Sequence, residues 1–504
     1  MADGAIQHVL LFPFPAQGHL PPMLKLGELL SLAGLHVTFL NTEHIHDRLL
    51  RSSPAVDRLA QRPNFRFRTI PDGLPQDDPR SIVYLLDLDE SMRTRSREPY
   101  RELLLTPDGQ DPDGWPTVSC VVADGILTLG LEVPEELGIP VLLLRTSSAC
   151  SLWAYYSIRT MIQIGELPFP EEADMDELVQ GVAGMDSFLR RRDLPGLVRR
   201  AKSTTDRTLG YLNAFSSNLT RASALILNTC EFLEAPVLSH IRSTICPITY
   251  TIGPLHHLVK DANSFQCNNG QGVINNVHVP ESTSSSIFPG LWKEDRSCMA
   301  WLDAQPDKSV VYVSFGSVTV VSREALVEFQ HGLVNSGHRF LWVIRPDLVE
   351  GGAGAAGDTI PPEVEIKVAS ERGYFVGWAP QEEVLGHPAV GCFLTHSGWN
   401  STLESVMKGV PMICWPFFAD QQINSRFVGE VWNIGVDMKD MNGRMVVEEM
   451  VRKVMDGNGN NELRRSVGKM AEEMAKSCSK GGSSYMNFQK LLRHIKSFHK
   501  ASMW

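Results

Sequence analysis

The chain has 504 residues, 43% hydrophobic and 21% charged, with 47 basic against 58 acidic side chains and a formal net charge of −11. That length exceeds what one hydrophobic core serves, so two or three domains are expected, and the ordinary composition excludes a disordered or fibrous chain. The acidic balance argues against a nucleic-acid or anionic-membrane surface, and the densest basic run, RRRD at 190–193, reads as a solvated face.

Nine cysteines stand singly, without a C-x-x-C pair, in settings such as VSCVVAD and VGCFLTH. This is the pattern of buried thiols in a reducing compartment, not of a disulfide framework or zinc site. The opening MADGAIQHVLLFPFP lacks a cationic leader, and no run of about 18 apolar residues occurs, so a soluble, cytoplasmic chain without a membrane span is expected.

In chain order, HVLLFPF (8–14) reads as a strand followed by PAQGHLPPM, whose two prolines open a helix with apolar residues at helical spacing. His19 therefore falls on a strand-to-helix turn, where open α/β sheets bind ligands, although a histidine can also merely satisfy such a turn. Short apolar runs at 36–40, 65–70, 118–124, 141–146, 224–229 and 250–253 alternate with helical patterns, and a second series follows at 310–316, 339–344, 374–377, 390–396 and 410–416. Such alternation predicts two tandem α/β units, each a parallel sheet covered by helices. Residues 256–290, rich in Asn, Ser and Gly, read as a linker or mobile loop, and GGSS at 481–484 precedes a last helix over 485–499.

Three patterns compete for attention. Gly352, Gly354 and Gly357 satisfy G-x-G-x-x-G but do not bridge a strand to a helix, so the segment reads as a flexible loop rather than a nicotinamide site. The pairs Asp87/Asp89, Asp111/Asp113 and Asp174/Asp176 match D-x-D, which can hold a metal bridged to a sugar nucleotide, but so short a pattern arises readily in an acidic chain and solvated loops explain it better. Asn218-Leu-Thr220 is a glycosylation sequon without a secretory route.

The richest stretch is WAPQEEVLGHPAVGCFLTHSGWNSTLESVMKGVPMICWPFFADQ at 378–421. VGCFLTH is a buried strand and SGWNSTLESVMKG a polar turn that becomes a helix, which sets a helix N-terminus at a strand C-terminus and favours a phosphate. His396, Asn400 and Ser401 add side-chain donors, and Glu404 can accept from ribose hydroxyls or else close a capping box with Ser401. Trp378 offers a face for a base, and Asp420-Gln421 an acceptor beside an amide, suited to sugar hydroxyls.

This stretch resembles, without a gap, the donor-binding signature of plant family 1 UDP-sugar-dependent glycosyltransferases. PAQGH, VVADG, NTCEFLE, IGPL and VVYVSFGS extend the resemblance over nearly the whole chain. It implies an α/β GT-B fold: two Rossmann-like domains with parallel sheets facing a central cleft, the acceptor held by residues 1–255 and UDP-sugar by 291–480, with 256–290 as linker and 481–504 returning to the first domain. It also implies roles. Trp378, with Ala379 beside it, stacks on uracil, Gln381 contacts the nucleoside and Glu404 the ribose; His396, Asn400, Ser401 and Ser317 contact the diphosphate; Trp399, Asp420 and Gln421 face the sugar. A final glutamine accompanies glucose donors. Ser397 stands where many members carry cysteine, which leaves the phosphate argument intact.

His19 matches the catalytic base and Asp124 the aspartate that orients it, with Thr146 near the sugar 6-hydroxyl. The acceptor pocket falls around Phe14, 82–95, 148–160 and 185–205. The implied reaction is an inverting displacement on UDP-glucose by a hydroxyl or carboxyl of a small lipophilic metabolite of terpenoid or iridoid type, with phenolic acceptors or another UDP-sugar open, without metal or other cofactor, in a monomer. A metal-dependent D-x-D transferase, a nicotinamide oxidoreductase and a silent sugar-nucleotide binder are the competing readings.

Overall fold

The computed structural model describes residues 7–75, 78, 80, 85–106, 110, 111, 113–268, 291–349 and 372–498. Those residues pack as two compact units, the first from within Met1–Tyr156, Tyr211–Leu291 and Lys476–Trp504, the second from Ser157–Gly210 and Trp292–Ala475. The glycine pattern at 352–357 lies outside the described residues.

In the first unit seven strands form one sheet: β1 (His8–Phe12), β2 (His36–Thr42), β3 (Phe65–Ile70), β4 (Cys120–Asp124), β5 (Val141–Arg145), β6 (Ala224–Leu227) and β7 (Thr249–Thr251). Their order is β3-β2-β1-β4-β5-β6-β7, and every pairing is parallel. The near-continuous apolar runs follow from that arrangement, because helices cover both faces: β1, β4 and β5 are buried at every position. Chain order reverses between β1 and β4, which makes the carboxyl ends of these two strands a switch point.

The second unit repeats the plan with β8 (Val310–Ser314), β9 (Arg339–Val343), β10 (Gly373–Val376), β11 (Val390–Thr395), β12 (Met412–Cys414) and β13 (Gly435–Asp437). The order is β10-β9-β8-β11-β12-β13, again parallel, with its switch point between β8 and β11. A core of Phe315, Phe329, Trp342, Leu394 and Trp415 fills one side of this sheet.

Several elements differ from the sequence reading. Strand β13 escapes it because three residues starting at a glycine carry no pattern; Gly435 is there because a Cβ would sit 2.3 Å from the Met412 carbonyl oxygen. Residues 255–268 are helical rather than loop. Leu255, Leu258 and Val259 are buried, and Asn228 Oδ1 accepts from Leu255 N at 3.0 Å, so packing supplies what the polar sequence does not advertise. The segment 157–210, which the reading groups with the first domain, packs with the second unit. The last helix, Ser483–Ser497, rests on β7 of the first unit: Ser484 Oγ donates to Gly253 O at 2.6 Å and Asn487 Nδ2 to Thr251 Oγ1 at 2.9 Å. Among the described residues no helix is long and apolar enough to cross a membrane.

His8, at the start of β1, is buried between Pro116 O and Thr38 Oγ1, at 2.7 and 2.8 Å from its ring nitrogens, and burial with the nearby Arg66 charge pushes its pKa down to about 4. An unfolded chain takes up a proton below about pH 6.5 that the folded one refuses. Stability from this site is therefore full above pH 6.5 and is lost as pH falls towards 4, with a slope of up to about 1.4 kcal/mol per pH unit. Denaturant melts between pH 7 and 4 should show this slope, shallower in His8→Leu; an unchanged slope in the variant contradicts the assignment.

Candidate active site

In the first unit, the turn after β1 sets His19 as the residue before the helix Leu20–Leu32, with two prolines in that helix's first turn. Strand β4 ends on Asp124. Because Phe12 pairs with Ala123 across the two strands, the turn residues after one reach the terminal side chain of the other. His19 Nδ1 lies 2.7 Å from Asp124 Oδ2 and 3.0 Å from Thr146 Oγ1. A carboxylate only accepts, so Nδ1 carries the proton, and the neutral ring keeps Nε2 as its basic nitrogen.

Asp124 is 1% exposed and His19 22%. Burial alone raises the Asp124 carboxyl, but the charge and hydrogen bond of His19, the Arg145 charge and the Ile126 N–H outweigh it, so the net shift is downward. Asp124 therefore stays ionised and stabilises a positive imidazole. Phe14 lies edge-on to the His19 ring at 5.4 Å. Thr146, read from the resemblance as a sugar neighbour, touches the histidine itself, a contact the sequence reading does not contain.

In the second unit, β11 runs into the helix Trp399–Met407 through His396, Ser397 and Gly398. The first bond of the helix ladder is Thr402 N to Gly398 O, 2.9 Å, so the N–H groups of 399–401 form its positive end. Ser397 takes φ +64°, a left-handed turn costing about 1–3 kcal/mol, held by Asn424 Nδ2 on its carbonyl at 2.9 Å. His396 lies against two glycines, since a Cβ at Gly316 or Gly398 would meet its Nε2 at 2.4 or 2.5 Å. Burial, then the Arg345 charge, lowers its pKa to about 4, so it is neutral at pH 7, with Nδ1 buried and unpartnered.

The residues that the resemblance assigns to the nucleoside are joined to one another. Gln381 Nε2 donates to Ser401 Oγ at 2.9 Å and to Glu404 Oε2 at 2.8 Å, while Tyr312 OH donates to Gln381 Oε1 at 3.3 Å. No capping box forms: the helix is capped by Gly398 without a side-chain bond, and Ser401 is inside its first turn. Trp378 stacks on Trp292 with ring centroids 6.3 Å apart and planes at 26°. Ala379 beside it is buried, and Trp399 is buried with its ring 6.3 Å from Trp432. Asn400 is half-buried on the helix's first turn. Asp420 precedes the helix Gln421–Arg426, and Gln421 Oε1 accepts from Phe417 N and Phe418 N at 2.8 and 3.1 Å, which leaves its NH₂ as the group able to meet a sugar hydroxyl.

Sequence reasoning missed Arg345. It follows β9, is 1% exposed, and donates to the carbonyls of Ser317 and Thr319, which shapes the loop after β8. Its guanidinium lies 5.8 Å from the Trp292 ring centroid, so one buried cation braces both the loop carrying Ser317 and the stack under Trp378. A lone arginine after RFLWVI carries no motif; its closeness to apolar residues was the available signal. Members of two D-x-D pairs are engaged by arginines, and Asp87 and Asp89 lie on the helix Leu85–Ser91 rather than in a solvated loop. Asp111 takes Arg66 at 2.7 and 2.8 Å and Asp113 takes Arg66 and Arg68; Asp176 takes Arg190 and Arg192; Asp89 is buried with its pKa raised to about 6 by desolvation.

Two α/β units with parallel sheets, one with a histidine oriented by a buried aspartate and the other with a helix N-terminus at the carboxyl end of a strand, have the architecture of the GT-B glycosyltransferases. Comparison with known proteins places it further. The UDP-glucoronosyl and UDP-glucosyl transferase family matches over residues 290–467. Myricetin 3-O-rhamnoside 1,2-glucosyltransferase UGT709G2 of Crocosmia x crocosmiiflora is 54% identical, covering 98% of this chain and 96% of its own length, and 7-deoxyloganetic acid glucosyltransferase of Catharanthus roseus is 46% identical over 97% of each. The crystal structure of Os79 from O. sativa in complex with UDP superposes with a TM-score of 0.76 at 28% identity, over 97% of this chain and 100% of that one. The chain belongs to the plant family 1 UDP-glycosyltransferases.

Gly316 tests the packing around His396. It combines φ +74° with contact at the ring, so Gly316→Ala should cost at least about 1–3 kcal/mol and weaken UDP binding. A melting temperature and UDP affinity equal to the parent's contradict this packing.

Proposed function

We propose that this UDP-glycosyltransferase transfers glucose from UDP-glucose, with inversion and without metal, to a hydroxyl of a small lipophilic plant metabolite. The observation that carries the reading is the 2.7 Å bond from His19 Nδ1 to buried, ionised Asp124, which leaves Nε2 as a base at the start of a helix. The acceptor O–H gives its proton to Nε2 while its oxygen attacks the anomeric carbon, and the bond from that carbon to the β-phosphate oxygen breaks with its electron pair leaving on UDP. The helix N-terminus at 399–401, with Asn400, Ser401, His396 and Ser317 around it, offsets the charge that develops there. Trp378 supports the base, with Ala379 beside it, Gln381 and Glu404 the ribose side, and Asp420, Gln421 and Trp399 the sugar.

Asp124 acts by fixing the tautomer and stabilising the imidazolium, and Thr146 shares that nitrogen, so both belong with the base in this reading. The acceptor is of terpenoid or iridoid type, a reading supported by the relative named for 7-deoxyloganetic acid. A phenolic or glycosylated phenolic acceptor is the second reading, supported by the more similar relative named for myricetin 3-O-rhamnoside.

The test is hexose transfer from UDP-glucose, with EDTA present, onto terpenoid and phenolic alcohols scored by mass spectrometry beside His19→Ala. The parent should form β-glucosides in EDTA, and the variant should lose about 10²–10⁴-fold in kcat. Abolition by EDTA contradicts the metal-independent route, and parental turnover in His19→Ala removes the base assignment.

A further inference from the structure

The run RRRD at 190–193 reads as a solvated face, yet Asp193 is fully buried. Its Oδ1 accepts from Lys439 Nζ at 2.7 Å and Arg190 Nη2 at 3.0 Å, its Oδ2 from Arg190 N and Nε at 2.8 and 3.1 Å, and Arg426 Nε lies 3.4 Å away. Lys439, also buried, shares its ammonium with Asp437 Oδ2 at 2.9 Å. Buried charge on this scale holds only when each member keeps its partners, which makes the cluster geometrically demanding.

The cluster ends on a helix already described. Arg426 closes Gln421–Arg426, and its Nε also donates to Phe188 O at 2.9 Å, with the Phe188 ring edge-on to Phe427 at 5.2 Å. Within the same helix, Asn424 Nδ2 donates to Asp420 Oδ2 and to Ser397 O, each at 2.9 Å. This helix, which runs on into a π-helical turn over Phe427–Val431, is thus tied through Asn424 to Asp420 and to the turn between β11 and the Trp399 helix, and through Arg426 to Asp193.

We propose that Asp193 is a positioning residue for donor-sugar recognition: it anchors Arg426 in the helix whose N-terminal end presents Asp420 and Gln421. This rests on the reading above in which those two residues face the sugar. Trp378, Gln381 and Glu404 stand on other elements, and this helix meets the phosphate-side turn through Asn424 Nδ2 on Ser397 O, so disturbing Asp193 should shift the sugar-facing Asp420 and Gln421 more than the UDP-binding groups. It also means that the segment 176–193, remote in sequence from the donor signature, takes part in choosing the hexose.

The experiment measures dissociation constants of UDP and UDP-glucose, with kcat and KM, for Asp193→Asn and for the charge-balanced Asp193→Asn/Lys439→Met, which carries the same comparison if the single variant does not fold. UDP-glucose affinity should fall about 10- to 100-fold, with weaker preference for glucose over galactose, while UDP affinity changes by about 2-fold or less. Equal losses for both ligands, or a lowered melting temperature with both affinities intact, make the cluster merely structural and overturn the proposal. Gln421→Ala separates the two layers: unchanged UDP-glucose binding there overturns the sugar-facing assignment and the proposal with it. A loss in Gln421→Ala that Asp193→Asn does not share overturns the positioning role alone.

Discussion

The hydrogen bond between His19 and Asp124 depends on two strands lying side by side in one register. β1 and β4 are parallel neighbours with Phe12 opposite Ala123, so a turn that leaves β1 and a side chain that ends β4 meet at 2.7 Å although 105 residues separate them. A one-residue slip would turn Asp124 to the other face of the sheet. The apolar strand interiors therefore do more than stabilise the unit: their burial fixes the register, and the register fixes the tautomer of the histidine. That is why the ring is oriented before any acceptor arrives.

The second unit uses the same device for a different purpose. Its switch point lies between β8 and β11, and the loops leaving these strands supply Gly316, Ser317 and the turn from His396 to Gly398. Where the first unit sets a polar pair in hydrogen-bond contact, the second brings an imidazole against two glycines with no room for a Cβ, and braces the loop from behind with buried Arg345. Left-handed φ values shape these loops, easily at Gly316 because it lacks a Cβ and at a cost at Ser397. Such strain is tolerable because the surrounding core, from Phe315 to Trp415, over-determines the position of the loop.

Much of this was legible in the sequence because it is local. A buried strand followed by small polar residues announces a helix N-terminus, as at 390–401, and a proline pair after His19 announces a helix start. The strand series was legible for the same reason, whereas β13, with three residues and a glycine at its head, fell below any periodic signal. Buried charge was not legible. Asp193 meets Lys439 across 246 positions and Arg345 serves carbonyls 26 and 28 positions earlier, and a charged residue in a one-dimensional chain reads as solvated until its partner is seen. Nor could spacing tell that Ser401 and Glu404 converge on Gln381 instead of capping their own helix, since both outcomes use the same three-residue interval.

The central claim is the proposal that an oriented His19 removes the acceptor proton. The most direct measurement is the ratio of parental to His19→Ala kcat across acceptors of graded hydroxyl acidity, from alkyl alcohols to activated phenols. If the histidine is the base, the ratio falls steadily as the hydroxyl becomes more acidic, because a more acidic acceptor needs less help. A ratio that stays constant across the series would mean that His19 contributes binding or packing alone, and the account of the first unit would be wrong.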